Sequence, residues 1–480
     1  MNIENRTIYC KDNLDILKNI DSESVEMIYL DPPFNKKKSF TAPIGTTAKG
    51  ASFKDIFNKE DYKNEWKEEF KAEHKEIYDF INTMQFYANE SDIAYIAYMT
   101  IRIIECHRIL KNNGSIFYHC DDTMQHYIKV MLDIIFGRNN FRNEINWQRS
   151  NTHNDGKKQL GRITDAILYY SKSEETPNVN EVFTPKVNID SHYSKFEKES
   201  GRYFKDNRLQ MRRGGTKKLM INGKEYIAEE GFEYRWSQKY LNEKLKENPN
   251  IIYISKNGKP YYKLYKDDDK GNKIMDLWTD LTVKTMSKNE IKGYPTQKPT
   301  ELMERIIKMS TNKNDFVLDP FCGCASTIIA AERLDRQWVG IDISVKAFEL
   351  VKERLKEEVE GFNESNRQYD VFGSNKPISF QTEPPTLSKN NIRPKKFIYV
   401  ISNPNHKGYK VGIAKNVKQR LNGYQTSDPN RGFKLEFYIK TENYREIESE
   451  VHNYFNANYE WVDADLKKII SHIKKLVKSI

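Results

Sequence analysis

The pattern that most restricts this chain is an alternation of apolar strands and amphipathic helices that breaks off and later resumes. Residues 1–35 read as strand, helix, strand, with Asp12–Ile20 the helix. Val25-Glu26-Met27-Ile28-Tyr29-Leu30 is a mostly apolar run that stops at Asp31-Pro32-Pro33-Phe34. Neither proline can donate to a strand ladder, so the strand ends there. In Asp92–Leu110, Ile93, Ile96, Ala97, Thr100, Ile101 and Ile104 keep the spacing of one helix face. Asn112-Asn113-Gly114 reads as the end of that helix. A strand at Ser115–His119, a helix at Met124–Phe136 and a strand at Glu144–Trp147 follow. After Gly293 the alternation returns: helix Glu301–Met309, strand Phe316–Asp319, helix Ser326–Leu334, strand Trp338–Asp342, helix Lys346–Glu358. Strands spaced by helices of this length imply a parallel sheet, an α/β fold.

The interruption, 151–290, has short β-like runs such as Ile251–Ser255 and Pro260–Tyr265, and no long amphipathic helix is expected in it. Residues 361–394 have the Asn, Ser, Pro and Gln content of a linker. Residues 395–480 read as a second, smaller α/β domain. No run approaches the ~18 apolar residues of a membrane helix. The N-terminus is polar, so no signal peptide is expected, and five cysteines in 480 residues do not make a disulfide framework. The expectation is a cytoplasmic protein with no membrane partner. Lys plus Arg is 78 and Asp plus Glu 68, a net charge of +10. Segments 151–290 (27 basic, 21 acidic) and 395–480 (16 basic, 9 acidic) hold more than all of that excess. Such clustering suits a nucleic-acid partner, although a coding bias toward Lys, Asn, Ile and Tyr would raise the net charge by itself.

Two turns carry chemistry. Asp319-Pro320-Phe321-Cys322-Gly323-Cys324 links a strand to a helix start, and Asp342 closes the next strand 19 residues after Gly323. Backbone approach at a glycine turn with a carboxylate after the second strand suits a nucleotide-type cofactor. An ordinary βαβ turn reads equally well from these residues alone. Cys322 and Cys324 have no second pair, so they read as packed thiols rather than metal ligands. Asp31-Pro32-Pro33-Phe34 sets a carboxylate beside rigid carbonyls at the end of a strand. That array of acceptors fits an exocyclic amine, and Phe34 can stack on the base carrying it. A proline-stopped strand with a capping Asp is the plainer alternative.

Taken together, Asp31-Pro32-Pro33-Phe34, Tyr294-Pro295-Thr296-Gln297-Lys298-Pro299, Leu318-Asp319-Pro320-Phe321 and Val339-Gly340-Ile341-Asp342, in that order, resemble the β-class DNA amino-methyltransferases. Gly114–Asp122 and Trp147-Gln148-Arg149-Ser150 extend the resemblance, which covers about residues 1–360 and looks most like adenine-specific modification enzymes of restriction systems. One departure is Gly323-Cys324-Ala325, where the family usually has Gly-Ser-Gly. The resemblance implies a Rossmann-like sheet binding S-adenosylmethionine (SAM), with an inserted target-recognition domain. It implies that Asp31 and the Pro32 carbonyl accept the amine hydrogens of a flipped adenine, with Pro33 stiffening the turn and Phe34 stacking the base. Asp319, Phe321 and Gly323 would line the methionine side of SAM. Asp342 would hold the ribose, Gln297 and Lys298 would close the pocket, and Asp12 would touch the SAM adenine. Residues 1–150 are then the catalytic half, 151–290 the target-recognition domain and 291–360 the SAM half. Arg208, Arg212, Arg213, Lys217 and Lys218 would contact double-stranded DNA at a specific sequence; a solvated basic loop is the other reading.

In 395–480, Phe397–Asn403 and Tyr409–Ala414 read as a hairpin, Arg420 and Tyr424 lie one helical turn apart, and so do Glu448 and His452. An arginine, phenols and a helical carboxylate suit metal-assisted phosphodiester hydrolysis. The arrangement resembles the GIY-YIG nuclease superfamily. Tyr399, Lys410 (in place of a tyrosine), Arg420 and Glu448 match its motifs, with Tyr424 a further phenol and Glu460-Trp461 a terminal motif. The resemblance implies Glu448 as the ligand of Mg2+. The tail Asp465–Ile480 reads as a capping helix with a basic outer face. The reading is a single-chain restriction–modification enzyme; a homodimer is compatible with it. Its rivals are a methyltransferase with a DNA-binding, non-cleaving tail, a DNA-binding protein with both centres dead, and methylation of cytosine N4.

Overall fold

The computed structural model describes residues 1–43, 45–49, 52–151, 160–174, 179–186, 188–212, 215–288, 290–359, 378–388, 396–414, 417–457 and 460–479, the side chains of 52–54, 419, 427, 445 and 446 excepted. Nine strands form one sheet. In chain order they are β1 (Thr7–Cys10), β2 (Val25–Leu30), β5 (Leu110–Cys120), β6 (Phe141–Gln148), β7 (Thr164–Ser171), β8 (Leu277–Trp278), β9 (Phe316–Asp319), β10 (Gln337–Asp342) and β11 (Ser379–Gln381). A separate hairpin, β3 (Lys38–Thr41) with β4 (Ser52–Asp55), follows β2. The spatial order is β8-β6-β7-β5-β2-β9-β10-β1-β11. From β5 through β11 all pairings are parallel, whereas β7 runs antiparallel to both β5 and β6. All six residues of β2 are buried, as expected of a central parallel strand covered on both faces.

Helices α1 (Asn13–Lys18), α2 (Asn64–Glu73), α3 (Lys75–Met84), α4 (Glu90–Ile109) and α5 (Gln125–Phe136) share one core with β2, β5 and β9. Helices α6 (Thr300–Ser310), α7 (Ser326–Arg333) and α8 (Val345–Glu358) follow the expected second alternation within one or two residues. This is a mixed α/β fold with a large central sheet.

Asn112-Asn113-Gly114 does not end α4 as read. The chain passes from α4 directly into β5, and the three residues lie inside that strand. Gly114 is needed there because a Cβ would come within 2.9 Å of the Glu26 and Lys111 carbonyl oxygens. Its role is close strand approach, not a helix stop.

The stretch 151–290 divides. Thr164–Ser171 and Leu277–Trp278 join the main sheet, because the apolar run Ala166–Tyr170 is long enough to be a buried strand. The compact unit that remains is Glu181–Met275, narrower than the 151–290 inferred from composition. It holds a four-stranded antiparallel sheet, Ile252–Ile254, Pro260–Tyr265, Arg202–Arg208 and Lys195–Glu197 in spatial order. It also contains a ten-residue helix, Gln238–Glu247, which the pattern did not reveal. Only Leu241 of that helix is buried, so no apolar stripe marks it, while Ser237 caps it by accepting from Tyr240 N–H at 3.2 Å.

Linker composition also misled in part. Ser379–Gln381 is β11, parallel to β1, and the Ser388 N–H donates to Asp21 at 2.9 Å. Residues 361–377 and 389–394 lie outside the described residues.

The last 85 residues build a four-stranded antiparallel sheet from β12 (Lys396–Ser402), β13 (Tyr409–Ala414), β14 (Lys434–Thr441) and β15 (Trp461–Val462), in the order β14-β12-β13-β15. Helices α9 (Val417–Ser427), α10 (Tyr444–Tyr454) and α11 (Leu466–Ser479) accompany it. Ile469 and Ile473 of α11 are fully buried in its core with Ile398, Val400 and Val411. Lys396, at the start of β12, is ion-paired with Glu73 of α2. Among the described residues no helix is long and apolar enough to cross a membrane.

Candidate active site

Strands β2, β9, β10 and β1 end side by side, and their carboxyl ends open into a cavity of about 820 Å3. That is within the range of a cofactor pocket. Asp31, Asp319, Asp342 and Asp12 all line it, each placed just where its strand stops. Open α/β sheets bind ligands at this edge because the strand carbonyls and turn N–H groups there have no ladder partner.

At the β9–α7 turn the backbone is unusual. Gly323 has φ +46°, and an added Cβ would stand 3.2 Å from the Tyr294 ring, which lies over the turn. Ala325 takes φ +71° and is fully buried. Alanine in this left-handed region costs about 1–2 kcal/mol, the physical meaning of the departure from glycine. The Arg354 guanidinium fixes the turn by donating to the Cys324 carbonyl at 2.6 Å and to Ser326 Oγ at 3.2 Å. Asp342 accepts from Gly323 N–H at 3.0 Å and from Ser344 N–H at 2.8 Å, and burial pushes its carboxyl up. Burial pushes the Asp319 carboxyl up to about 7 against the pull of Thr327 and the Phe321 N–H, with Asp31 and Asp342 adding to the rise.

At the other end, Asp31 Oδ2 is 2.5 Å from Lys298 Nζ. Pro32, Pro33 and Phe34 line the cavity beside it. The Phe34 ring is backed by His119, stacked at 5.9 Å and 20°. His119 is fully buried; Tyr29 Oη lies 2.8 Å from its Nδ1 and Asp165 Oδ2 3.3 Å from its Nε2. Asp165 is also ion-paired to Arg149 at 3.3 Å, and its carboxyl is held below the usual range by His119, Arg149 and Lys298 although burial opposes this. Trp147 meets the His119 ring edge-on at 5.4 Å and completes an aromatic wall.

Asp12 and Gln297 both line the cavity and are held by hydrogen bonds within the fold. Asp12 lines the cavity, yet its carboxylate accepts from Leu14 N–H at 2.8 Å and from the Arg102 guanidinium at 2.8 and 3.0 Å. Gln297 is buried with its amide spent on its own loop, accepting from Lys292 N–H at 3.0 Å and donating to the Glu290 carbonyl at 2.7 Å. Phe321 lines the cavity.

In the Glu181–Met275 unit, Arg208 and Arg212 are exposed. Lys217 and Lys218 are exposed but paired with Glu233 and Glu225, each at 3.3 Å. Arg213 lies outside the described residues.

The C-terminal residues do converge. Tyr399, fully buried, is hydrogen-bonded hydroxyl to hydroxyl with Tyr424 at 2.9 Å and accepts from Arg420 Nε at 3.4 Å. Arg420 and Lys410 approach the Tyr424 ring at 5.1 and 5.4 Å, and Lys410 is ion-paired with Glu460. The Glu460 charge also acts on Tyr399, Tyr424 and Arg420. Glu448 is half-buried on α10, one turn before His452, whose Nε2 is 3.0 Å from the Val411 carbonyl. Among the described residues no three His, Cys, Asp or Glu side chains converge to hold a metal. One carboxylate is compatible with Mg2+, which keeps several waters and takes phosphate oxygens.

Comparison with known proteins decides the family. The DNA methylase model for N6 and N4 enzymes matches residues 25–353. The chain belongs to the N6/N4 DNA methylase family. A T5orf172 domain model matches residues 396–477 of this methylase. The type II methyltransferase M.EcaI of Enterobacter cloacae is 30% identical over 268 residues, 55% of this chain and 58% of that protein. The type III restriction–modification enzyme StyLTI Mod subunit of Salmonella typhimurium is 23% identical over 350 residues, 68% of this chain and 49% of that protein. The chain thus spans about half the length of these curated relatives. The crystal structure of an M1.HpyAVI–SAM complex is 18% identical, covering 73% of this chain and 99% of that one, with a TM-score of 0.32.

Several residues of the methylase site escaped the sequence reading. Tyr294, Asp55, Lys36 and Asp165 line the cavity and His119 backs Phe34, with no motif in the sequence that gives them these roles. Asp165 had a signal available: it opens the buried apolar run of β7 as Asp31 closes that of β2.

Proposed function

We propose that this chain transfers a methyl group from SAM to N6 of adenine in duplex DNA as the modification activity of a restriction system. The observation that supports it most is the single cavity with Asp31 and Phe34 at one end and Gly323 and Asp342 at the other. The residues fit SAM: the glycine turn lets backbone approach a ligand, and the cavity carboxylates of Asp319 and Asp342 are acceptors of the kind an ammonium and ribose hydroxyls need. SAM bound there supplies an electrophilic methyl on a sulfonium. Asp31 and the Pro32 carbonyl accept the two amine hydrogens, which frees the nitrogen lone pair for attack. Lys298 balances the Asp31 charge in the absence of base and closes the pocket. Phe34, backed by His119, stacks a base flipped from the duplex. The work of the protein is positioning and electrostatics.

The Glu181–Met275 unit, with Arg208 and Arg212 exposed, reads the DNA sequence in this scheme. The C-terminal domain cleaves DNA as a GIY-YIG-type nuclease: Arg420 neutralises the phosphate charge, Glu448 would hold Mg2+, and the Tyr399–Tyr424 pair supplies phenol hydroxyls next to Arg420. The setting is the cytoplasm, where the host DNA lies. The names of the relatives, a type II methyltransferase and a type III Mod subunit, agree with modification. Long-read sequencing of DNA from cells expressing the protein tests the reading. N6-methyladenine in one sequence word is expected; N4-methylcytosine would reassign the base, and unmodified DNA would refute the methyltransferase reading.

A further inference from the structure

The turn that follows the Asp31-Pro32-Pro33-Phe34 motif is conformationally costly. Asn35 has φ +63° and Lys37 φ +58°, two non-glycine residues in the left-handed region within three positions. Such a backbone persists only where its surroundings over-determine it. One carboxylate does most of this. Asp55, 1% exposed at the end of β4, accepts the Asn35 N–H at 2.5 Å. Burial raises its carboxyl against the pull of the Lys36, Asn35 and Phe34 N–H groups. Three successive N–H groups facing one anion form a backbone nest. The Asn35 side chain locks the turn from the far side, donating to Asp92 at 2.9 Å and accepting from Ser91 Oγ at 2.8 Å. Asp55 lines the same cavity as Asp31 and Phe34.

We propose that Asp55 is a positioning residue for methyl transfer: by gathering the N–H groups of Phe34–Lys36 it fixes the plane of the Phe34 ring against which the target base stacks. In this reading Asp55 contributes no contact of its own to base or cofactor. Its effect travels through the Phe34 backbone, and the ring it orients is held from behind by His119. The inference rests on the reading of Phe34 as the ring under the base. Misplacing a reacting group by about 1 Å costs on the order of 100-fold in rate. Loss of the nest anion is therefore expected to appear in kcat and not in the affinity for SAM.

The test compares wild type, Asp55→Asn, Asp55→Gly and Phe34→Ala. The assay is incorporation of tritiated methyl from SAM into unmethylated genomic DNA, alongside SAM calorimetry and thermal melting. Asp55→Asn keeps the volume and one acceptor oxygen but removes the charge and replaces the second oxygen with an NH2 that repels the N–H groups. It should lower kcat on the order of 100-fold and leave the SAM Kd within about twofold of wild type. Asp55→Gly leaves the nest open, and added sodium formate should restore much of its kcat by supplying a carboxylate. Sodium chloride at the same ionic strength should not. If Asp55→Gly fails to fold, the kcat-against-Kd split in Asp55→Asn decides. Wild-type kcat in Asp55→Asn, loss of SAM affinity in proportion to kcat, or no formate rescue of folded Asp55→Gly overturns the proposal. A slow Phe34→Ala beside a fully active Asp55→Asn removes only the role of Asp55. A fully active Phe34→Ala removes the stacking reading and the proposal with it, as does absence of transfer by wild type.

Discussion

Lys298 Nζ lies 2.5 Å from Asp31 Oδ2, across 267 residues of sequence. The same lysine is pinned through its backbone, since its carbonyl accepts from Ser326 Oγ at 2.7 Å in the first turn of α7. One residue thus ties the end of β2 to the helix that follows the glycine turn. The ammonium also stands 5.6 Å from the centre of the Phe34 ring.

Asp31→Ala should abolish methyl transfer, by about 1,000-fold or more, the scale of losing an electrostatic group aimed at the reacting atoms. SAM binding should persist, because Gly323 and Asp342 are untouched. Lys298→Gln should slow transfer less, about tenfold, since it removes the counter-charge but not the acceptor. Rate assays with SAM calorimetry decide. A loss of SAM affinity in Asp31→Ala as large as in Asp342→Ala would move Asp31 out of the base site.

Asp319 predicts a pH dependence. Burial raises its carboxyl to about 7 in the folded chain, against about 3.9 for an unfolded Asp. Between those values the folded state holds a proton that the unfolded state has released. The stabilising contribution is therefore complete below about pH 4 and is lost as pH rises through about 7. A cationic cofactor favours the ionised form, so SAM affinity should climb with pH, by up to about tenfold per unit below pH 7. Calorimetry across pH 6–8 should show the slope in wild type and its loss in Asp319→Asn. A flat wild-type profile would mean that no ligand cation meets this carboxylate.

Much of the site was legible because each parallel strand is a short apolar run ended by an acid. Asp31, Asp319 and Asp342 could be placed at one sheet edge from that punctuation alone. The glycine turn was legible for the same reason, though the φ of +71° at Ala325 was not. What stayed hidden depends on pairing at a distance. The β3–β4 hairpin has few apolar residues, so neither it nor Asp55 announced itself. Asp165 belongs to β7, an antiparallel strand inside a stretch whose overall composition resembled a separate domain. Asp12 and Gln297 line the cavity as the motifs suggest, but their partners are set by the fold. Only the fold shows Arg102 and the 290–292 backbone taking their polar atoms. Glu460 was quoted as part of a terminal motif, and its pairing with Lys410 arises from the β13–β15 register.

Gly412 should tolerate no side chain. It pairs with Tyr399 across β12 and β13, and an added Cβ would lie 2.6 Å from the Tyr399 hydroxyl. Gly412→Ala must push the phenol away from Tyr424 and Arg420. Overpacking of this kind costs about 1–3 kcal/mol. Hydrogen exchange of the full chain should show faster exchange within 396–414, with the main sheet unaffected. Unchanged protection there would mean that the phenol has room to move aside.

The last prediction concerns cleavage. Cutting should require a divalent cation, and Glu448→Ala should stop it while methylation continues. Glu448 is set apart from the neighbouring acids by its place one turn before His452, whose imidazole is anchored to the Val411 carbonyl of β13. Its position on α10, in a core of its own, keeps it out of the methylase cavity, so the two activities should separate cleanly. The Lys410–Glu460 ion pair gives a second handle: Glu460→Gln leaves the Lys410 ammonium beside Tyr424 without its counter-charge. It should reduce cutting less than Glu448→Ala does, because no metal is lost. Cutting must also be restrained on self DNA. If one recognition unit serves both activities, a methyl group in its word disfavours productive binding. Unmethylated and fully methylated plasmids incubated with magnesium decide the matter. Cutting of the unmethylated plasmid alone is expected. Equal cutting of both would end the restriction reading, and no cutting of either with magnesium, manganese or nickel would leave the C-terminal domain a DNA-binding module.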